Sequence, residues 1–396
     1  MMQEKETIQN GAVIQETARS REILQIGEEM LPFAYWLYGI PGLGSRTIRH
    51  LLMQHKTPYE IYHMPKERLE RLLPLSNKTA ALAKRIADSR EETDCTAVTE
   101  RFARLKEKGI GFTCLGYQTY PGRLAQIPDP PYALYFIGRL PEQKCPSVAI
   151  IGARNCSAYG RQMAKRFGEE LAMAGISVIS GMARGIDGIG QSAALAAGGY
   201  SLGVLGCGAD ICYPAENRAL YRMLCAQGGV CSEYPPGMRP KNSLFPPRNR
   251  IISGLSDAVL VIEAKGKSGT LITVDMALEQ GKEVYALPGR VTEALSEGCN
   301  GLLKQGAGLV LSPQDLIREI LGEISFMRPA PALLSARQAD LLDCMGTFPE
   351  AADQIKERML LKCGRTISIP DLMAELMHLS IMGHVNQIGN GYFMKA

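Results

Sequence analysis

The sequence predicts an α/β chain: a Rossmann-like, mostly parallel sheet core, preceded by a helical N-terminal domain and followed by a winged-helix-like C-terminal domain. Three observations predict it. From Val148 onward, short apolar runs end at or near Gly152, Ser180, Gly206, Glu233, Glu263 and Leu287, with helical stretches such as 161–174, 216–227 and 270–280 between most of them. Before this region, apolar residues recur at helical spacing (Ile48, Leu51, Leu52; Leu69, Leu72, Leu73), and after it a helical stretch precedes an alternating run with a Gly-Asn-Gly turn. Strand, loop and helix in such alternation mean parallel strands with crossover helices on both faces. In such sheets, ligands bind beyond the carboxyl ends of the strands.

Taken in order, residues 1–27 read as a flexible lead. They are polar and mixed in charge, without the apolar centre of a signal peptide. Residues 28–94 read as a helical domain of helix-hairpin-helix or SAM-like type. Its centre is Ile40-Pro41-Gly42-Leu43-Gly44, followed by Ser45 and a helix from Arg46. The two glycines permit a tight turn, and the amides of the next helix start can hold a phosphate. A plain helix–turn–helix contact fits the same residues. The span 95–325 holds an entry connector and the Rossmann-like domain. Prolines at 121, 128, 130 and 131 argue against a helix in the connector, and 134–137 fits a strand joining the next domain. A Pro-containing linker, Arg328-Pro329-Ala330-Pro331, leads to the terminal unit 334–396. There 369–379 is expected to be a helix capped by Ser368, with Pro370 near its first turn, and 385–393 a hairpin.

Composition permits a polyanionic partner without demanding one, since the formal net charge is only +4. The 11 cysteines form no CxxC pair, which suits small buried hydrophobes in a reducing cytoplasm. No apolar run approaches the roughly 18 residues of a membrane span. A cytoplasmic protein without cofactor or metal is expected.

The functional signal lies where strands stop. The first loop gives Gly152-Ala153-Arg154, the second Ser180-Gly181-Met182-Ala183-Arg184-Gly185-Ile186-Asp187, the third Gly206-Cys207-Gly208. Glycine lets backbone approach a ligand, arginine forks onto phosphate, and the helix starts that follow offer N–H groups and a positive dipole end. Each loop alone also fits an ordinary tight turn. A fourth element, Phe245-Pro246-Pro247-Arg248-Asn249-Arg250, combines a ring for stacking with two phosphate-capable arginines; Phe245 as a core anchor with ion-paired arginines fits it too. The fifth, Lys267-Ser268-Gly269-Thr270, resembles the tail of a P-loop. The full motif fails because Val261 stands where its first glycine belongs. Pro288-Gly289-Arg290 closes the series. Asp187, Glu233, Glu263 and Glu279 are the remaining acids, with Asp187 expected to cap or to pair with Arg184, and Glu233 and Glu263 to orient arginines.

Two absences narrow the chemistry. All five histidines (His50, His55, His63, His378, His384) lie outside 145–320, which excludes a His-based triad or zinc site built within that domain. The second strand ends in Ser180-Gly181 where a dinucleotide site wants a ribose-binding acid, and the first loop is not GxGxxG.

With these loops the chain resembles the DprA/Smf family of bacterial DNA-processing proteins. The resemblance covers Tyr120 to about Leu311 and rests on ordered motifs. These are YPxxL and DPPxxLYxxG, then GxR, SGxARGID, LGCGxDxxYPxEN, SEYPPG, FPPRNRII, SGTLIT, ALEQG, PG and GCNxLL. Ala153 departs from the serine frequent in the family, which removes one hydroxyl donor. The resemblance implies a single-stranded-DNA binder, a homodimer without a catalytic step, that protects incoming DNA and helps load the RecA recombinase during natural transformation. It implies that Arg154, Arg184, Phe245, Arg248, Asn249, Arg250 and Lys267 line the DNA path. Gly152, Ser180, Gly181, Gly206, Gly208, Ser268, Gly269 and Thr270 would add backbone or hydroxyl contacts. The alternative is an enzyme like the nucleotide phosphoribohydrolases, echoed by Gly269-Thr270 and Glu279 but lacking their PGGxGT loop.

Overall fold

The computed structural model describes residues 25–322 and 335–395, apart from 55, 74–78, 347–348, 365, 382–383 and 389–390. Most of the expected lead, the linker at 328–331, and Gly389 and Asn390 of the expected turn therefore lie outside the described residues. The chain forms two compact units, Met1–Glu323 and Ile324–Ala396.

The first unit is built on a nine-stranded sheet. Its strands are β1 (Gly111–Cys114), β2 (Ala133–Gly138), β3 (Ser147–Ile151), β4 (Ser177–Ser180), β5 (Ser201–Val204), β6 (Gly229–Ser232), β7 (Ala258–Val261), β8 (Glu283–Ala286) and β9 (Gly308–Leu309). The order is β1-β2-β6-β5-β4-β3-β7-β8-β9. From β6 to β9 the pairing is parallel, with Val148 opposite Ala258 and Ile179 opposite Leu202. The central strands are apolar throughout because helices cover both faces: every residue of β3, β4 and β7 is buried. Crossover helices Ala158–Met173, Arg218–Gln227 and Gly269–Glu279 fall where the sequence places them, within three residues, and Ile186–Ala196 is a further one. The helices Ala158–Met173 and Ile186–Ala196 pack closely because Gly168 has no side chain; a β-carbon there would overlap the Gly190 carbonyl oxygen.

The strand expected at 134–137 is β2, and it joins the sheet by antiparallel pairing with β6. Two features were not legible. A further strand, β1, pairs antiparallel with β2 at the sheet edge. Residues Phe245–Gly254 form a helix, with its two prolines in the first turn, where a missing N–H costs nothing.

The helical layer before the sheet includes Leu31–Gly39 and Ser45–Leu52, joined through Gly42 at φ 82°. It is held to the sheet edge by aromatic side chains. Tyr35 meets Phe102, Phe112 and Tyr135 at centroid distances of 5.8, 5.6 and 6.2 Å, and Tyr38 stacks on Tyr135 at 6.1 Å.

The second unit has helices Ala336–Cys344, Ala352–Cys363 and Ile369–Ile381 and a small antiparallel sheet of β10 (Glu350–Ala351), β11 (Val385–Ile388) and β12 (Tyr392–Lys395), in the order β10-β12-β11. Leu341, Ile355, Leu372, Leu376 and Phe393 form its core. The Ser368 hydroxyl accepts from the Asp371 amide at 3.2 Å, the cap expected of it.

Candidate nucleic-acid interface

The sheet reverses its winding direction between β3 and β7, so the crevice outside their carboxyl ends is the place where this architecture binds ligands. The helices that follow β3, β4 and β7 start along that edge, and their starts differ. The helix Ala158–Met173 is capped from within. The Ser157 amide donates to Glu263 Oε2 at 2.9 Å, its hydroxyl donates to Oε1 at 2.5 Å, and the Gly160 amide donates to the Ser157 hydroxyl at 3.0 Å. Glu263 is buried, and Gly160 lacks a side chain because the carboxylate fills that space. An internal anion thus occupies the position where a nucleotide phosphate would sit. Glu263 therefore serves this helix and not an arginine.

The helix Ile186–Ala196 has no side-chain cap and is closed by backbone carbonyls instead: the Ile186 amide donates to Ala153 at 3.2 Å and the Gly188 amide to Ala183 at 3.0 Å. Asp187 in its first turn is buried and accepts from the Gly181 amide at 3.2 Å. Its partner across Gly181 is Arg248, not the expected Arg184: a β-carbon at Gly181 would overlap the Arg248 guanidinium and approach Asp187 Oδ2. Burial raises the Asp187 pKa above its ordinary value, against the pull of Arg248 and of hydrogen bonds from Ser180, Gly181 and Gly152. Burial lowers that of Arg248, against the attraction of Asp187.

The helix Gly269–Glu279 is the open one. Its cap residue Ser268 makes no side-chain cap bond, and its buried hydroxyl oxygen has no partner among the described residues. Lys265, Lys267 and Gly269 beside it are exposed. Of the three starts, this one retains N–H groups and cations for an anion from outside.

Arg248 ties the remaining pieces together. It is 6% exposed, and its Nη1 donates to the Val204 carbonyl at the end of β5 at 2.6 Å. Its guanidinium lies 5.8 Å from the centre of the Phe245 ring. That ring lies against Gly206, where a β-carbon would meet Phe245 Cδ1 at 2.6 Å. The loops are tied laterally too. Asn217 Nδ2 donates to the Met182 and Ala183 carbonyls at 2.9 and 3.1 Å, and the Ile186 amide donates to the Ala153 carbonyl at 3.2 Å. Met182 is held at φ 53°, the one non-glycine residue at positive φ among the described residues. Its amide, bonded to Gln191 Oε1 at 3.0 Å, and its carbonyl both help over-determine that conformation.

The structure thus sorts the expected residues into three groups. Arg154, Arg184, Lys267 and Gly269 face solvent; Gly152, Phe245, Asn249, Ser268 and Thr270 are half-buried. Ser180, Gly181, Gly206, Gly208 and Arg248 are buried and hold the loops: the Ser180 hydroxyl donates to the Ile150 carbonyl at 2.6 Å. Arg250 is also turned to an internal role. Its Nη2 donates to both oxygens of Glu233 at 2.8 and 2.9 Å, and its Nε lies 3.5 Å from Asp129. Asp129 in turn holds Arg49 at 2.7 Å, and Glu233 accepts from the Ser45 hydroxyl at 3.1 Å. The start of the helix after the Gly42–Gly44 turn therefore faces a carboxylate of the sheet unit. Burial opposes the charge of Arg250, but Glu233 and Asp129 outweigh it and raise its pKa. Glu233 does orient an arginine, as expected. Tyr213 and Asn217 were not singled out from sequence. Both lie in the LGCGxDxxYPxEN stretch, and that motif is the signal that could have found them.

Comparison with known proteins agrees with this arrangement. The family model described as DNA recombination-mediator protein A matches residues 111–321. Protein Smf of Escherichia coli (strain K12) is 37% identical over 278 residues, 69% of this chain and 74% of that protein. The DNA processing protein DprA of Streptococcus pneumoniae is 42% identical over 200 residues, 50% of this chain and 71% of that protein. The X-ray structure of DNA processing protein A from Streptococcus pneumoniae superposes with a TM-score of 0.64 at 31% identity, covering 75% of this chain and 99% of that one. A mostly parallel sheet with bracing helices, phosphate-suited loops at its carboxyl edge and these likenesses together place the chain in the DNA recombination-mediator protein A family, the DprA/Smf proteins.

Proposed function

We propose that the chain binds single-stranded DNA along the carboxyl edge of its sheet and acts as a recombination mediator, protecting the strand and helping to load the RecA recombinase during natural transformation. The observation that carries this reading is the set of loops held rigid from beneath by Arg248 while Arg154, Arg184 and Lys267 stay exposed. Backbone phosphates would meet the exposed cations and the open helix start at Ser268-Gly269-Thr270, and bases would meet the stacked rings of Tyr213 and Phe245. Such contacts give affinity with little sequence preference and a strong dependence on salt. The division into a helical domain at 28–94, a Rossmann-like domain at 95–325 and a winged-helix-like domain at 334–396 belongs to this reading. So do a homodimer, which would hold two strands or one longer one, and a cytoplasmic location. Among the described residues, no helix is long and apolar enough to cross a membrane.

The phosphoribohydrolase alternative is not favoured. Glu279 closes the helix that Gly269 opens, so the two lie about 15 Å apart and share no site. The test is binding of oligo-dT and of a matched duplex across a salt series. Tighter binding of the single strand is expected. The slope of log affinity against log salt should become shallower by roughly 0.7 for each phosphate that Arg184→Ala or Lys267→Ala no longer neutralises. Folded variants that bind as tightly as the parent would remove these residues from the site.

A further inference from the structure

We propose that Tyr213, on the loop after β5, is the outermost base-stacking residue of the strand site, and that Phe245 is the ring that supports it. This rests on the single-strand reading above. The sequence assigns stacking to Phe245, but in the structure that ring is largely enclosed. Its edge lies against Gly206, the Arg248 guanidinium lies 5.8 Å from its centre, and the Tyr213 ring stacks on it at 5.5 Å and 26°. Tyr213 is the more exposed of the two, at 42%, and its hydroxyl makes no hydrogen bond among the described residues. Guanidinium, supporting ring and outer ring form a stack that begins at a buried anchor on Val204 and ends in solvent.

The Tyr213 ring rests on Phe245 with one part covered and 42% of the residue exposed. The loop carrying it is fixed just beyond the ring, where Asn217 holds the Met182 and Ala183 carbonyls and Glu216 lies 3.6 Å from Arg184. The ring is therefore coupled to the loop that presents an exposed cation. One nucleotide offers a π-face and a phosphate, which is the pair of groups this arrangement matches. Every base has a π-face, so such a platform is tolerant of sequence. Pairing the strand into a duplex would hide that face.

The test compares Tyr213→Ala and Tyr213→Phe with the parent, using oligo-dT and an oligomer of the same length with abasic sites throughout. Tyr213→Ala is expected to lose about tenfold in affinity for oligo-dT, with an unchanged salt slope because the same phosphates stay neutralised. Tyr213→Phe is expected to match the parent, and all three proteins to bind the abasic strand alike. An alanine variant that binds oligo-dT like the parent, while Arg184→Ala still weakens binding, overturns the platform and leaves the functional reading intact. An equal loss on the abasic strand also overturns it, because the effect then lies in the backbone interactions. A parent chain that does not bind oligo-dT sinks both.

Discussion

Replacing Arg248 by alanine separates the support of the interface from the interface itself. Its guanidinium donates a charge-assisted hydrogen bond of 2.6 Å to Val204 from a position only 6% exposed. Such a bond contributes about 1.5–3 kcal/mol, and its loss orphans a buried carbonyl. The contact with the Phe245 ring at 5.8 Å adds about 1 kcal/mol. Asp187, buried across Gly181, loses the positive charge that favours its ionised form. Together these give a cost of roughly 3–4 kcal/mol, or about 5–6 °C in melting temperature for a unit of this size. Arg184 is the control: its side chain is 57% exposed and pairs with Glu216 at 3.6 Å, a contact worth less than about 1 kcal/mol. Scanning calorimetry of the full chain, with oligo-dT binding on the same samples, tests the contrast. Arg248→Ala should melt early. Arg184→Ala should melt with the parent yet bind weakly. Adding Asp187→Asn to Arg248→Ala should restore part of the loss, since it removes the orphaned charge. An Arg248→Ala protein that melts within a degree or so of the parent would refute the supporting role.

Two further outcomes follow from groups outside the interface. Arg250→Ala strips Glu233 of both its guanidinium bonds in a pair whose side chains are only 13% and 11% exposed, at a cost of about 3 kcal/mol. Faster proteolysis within 31–52 is expected, and unchanged cleavage there would mean that this network does not hold the helical layer down. In the second unit, the hydrogen bond from Arg358 holds the Glu350 carboxyl below its ordinary value of 4.5. A depressed carboxylate contributes stability that is present above that value and lost as pH falls through the folded one. Protection factors over 335–395, exchange rates corrected for their intrinsic pH dependence, should therefore fall on acidification in the parent and respond less in Glu350→Gln; an identical acid response in both would exclude the pair.

The parallel core was legible because its signal is local. Runs such as Ala258–Val261, buried on both faces, must be apolar throughout, and glycines mark where each chain turns at the edge. The helix Phe245–Gly254 was not legible, because two prolines normally signal the end of a helix and here occupy the first turn. That 134–137 joins the next domain was legible, but its partner β6 was not, since the residues that pair are far apart in sequence and nothing in either strand names its partner. The same distinction governs the site. Local spacing identified the loops, the cations and the ring.

What the sequence by itself determined is the class of fold, the edge of the sheet where the candidate site lies and the chemical types gathered there. What only the tertiary structure decided is which of those groups are free. Arg154, Arg184 and Arg248 are alike in sequence terms, yet two are open to solvent and the third is committed to Val204 and Asp187. Three helix starts look equally able to hold a phosphate until Glu263 is seen to fill one and the Ala153 and Ala183 carbonyls to take the first amides of another. A donor is available only if no nearer partner has taken it, and the partners that take these, Glu263 just beyond β7 and Val204 at the end of β5, are brought in by strand order rather than by neighbourhood in the chain.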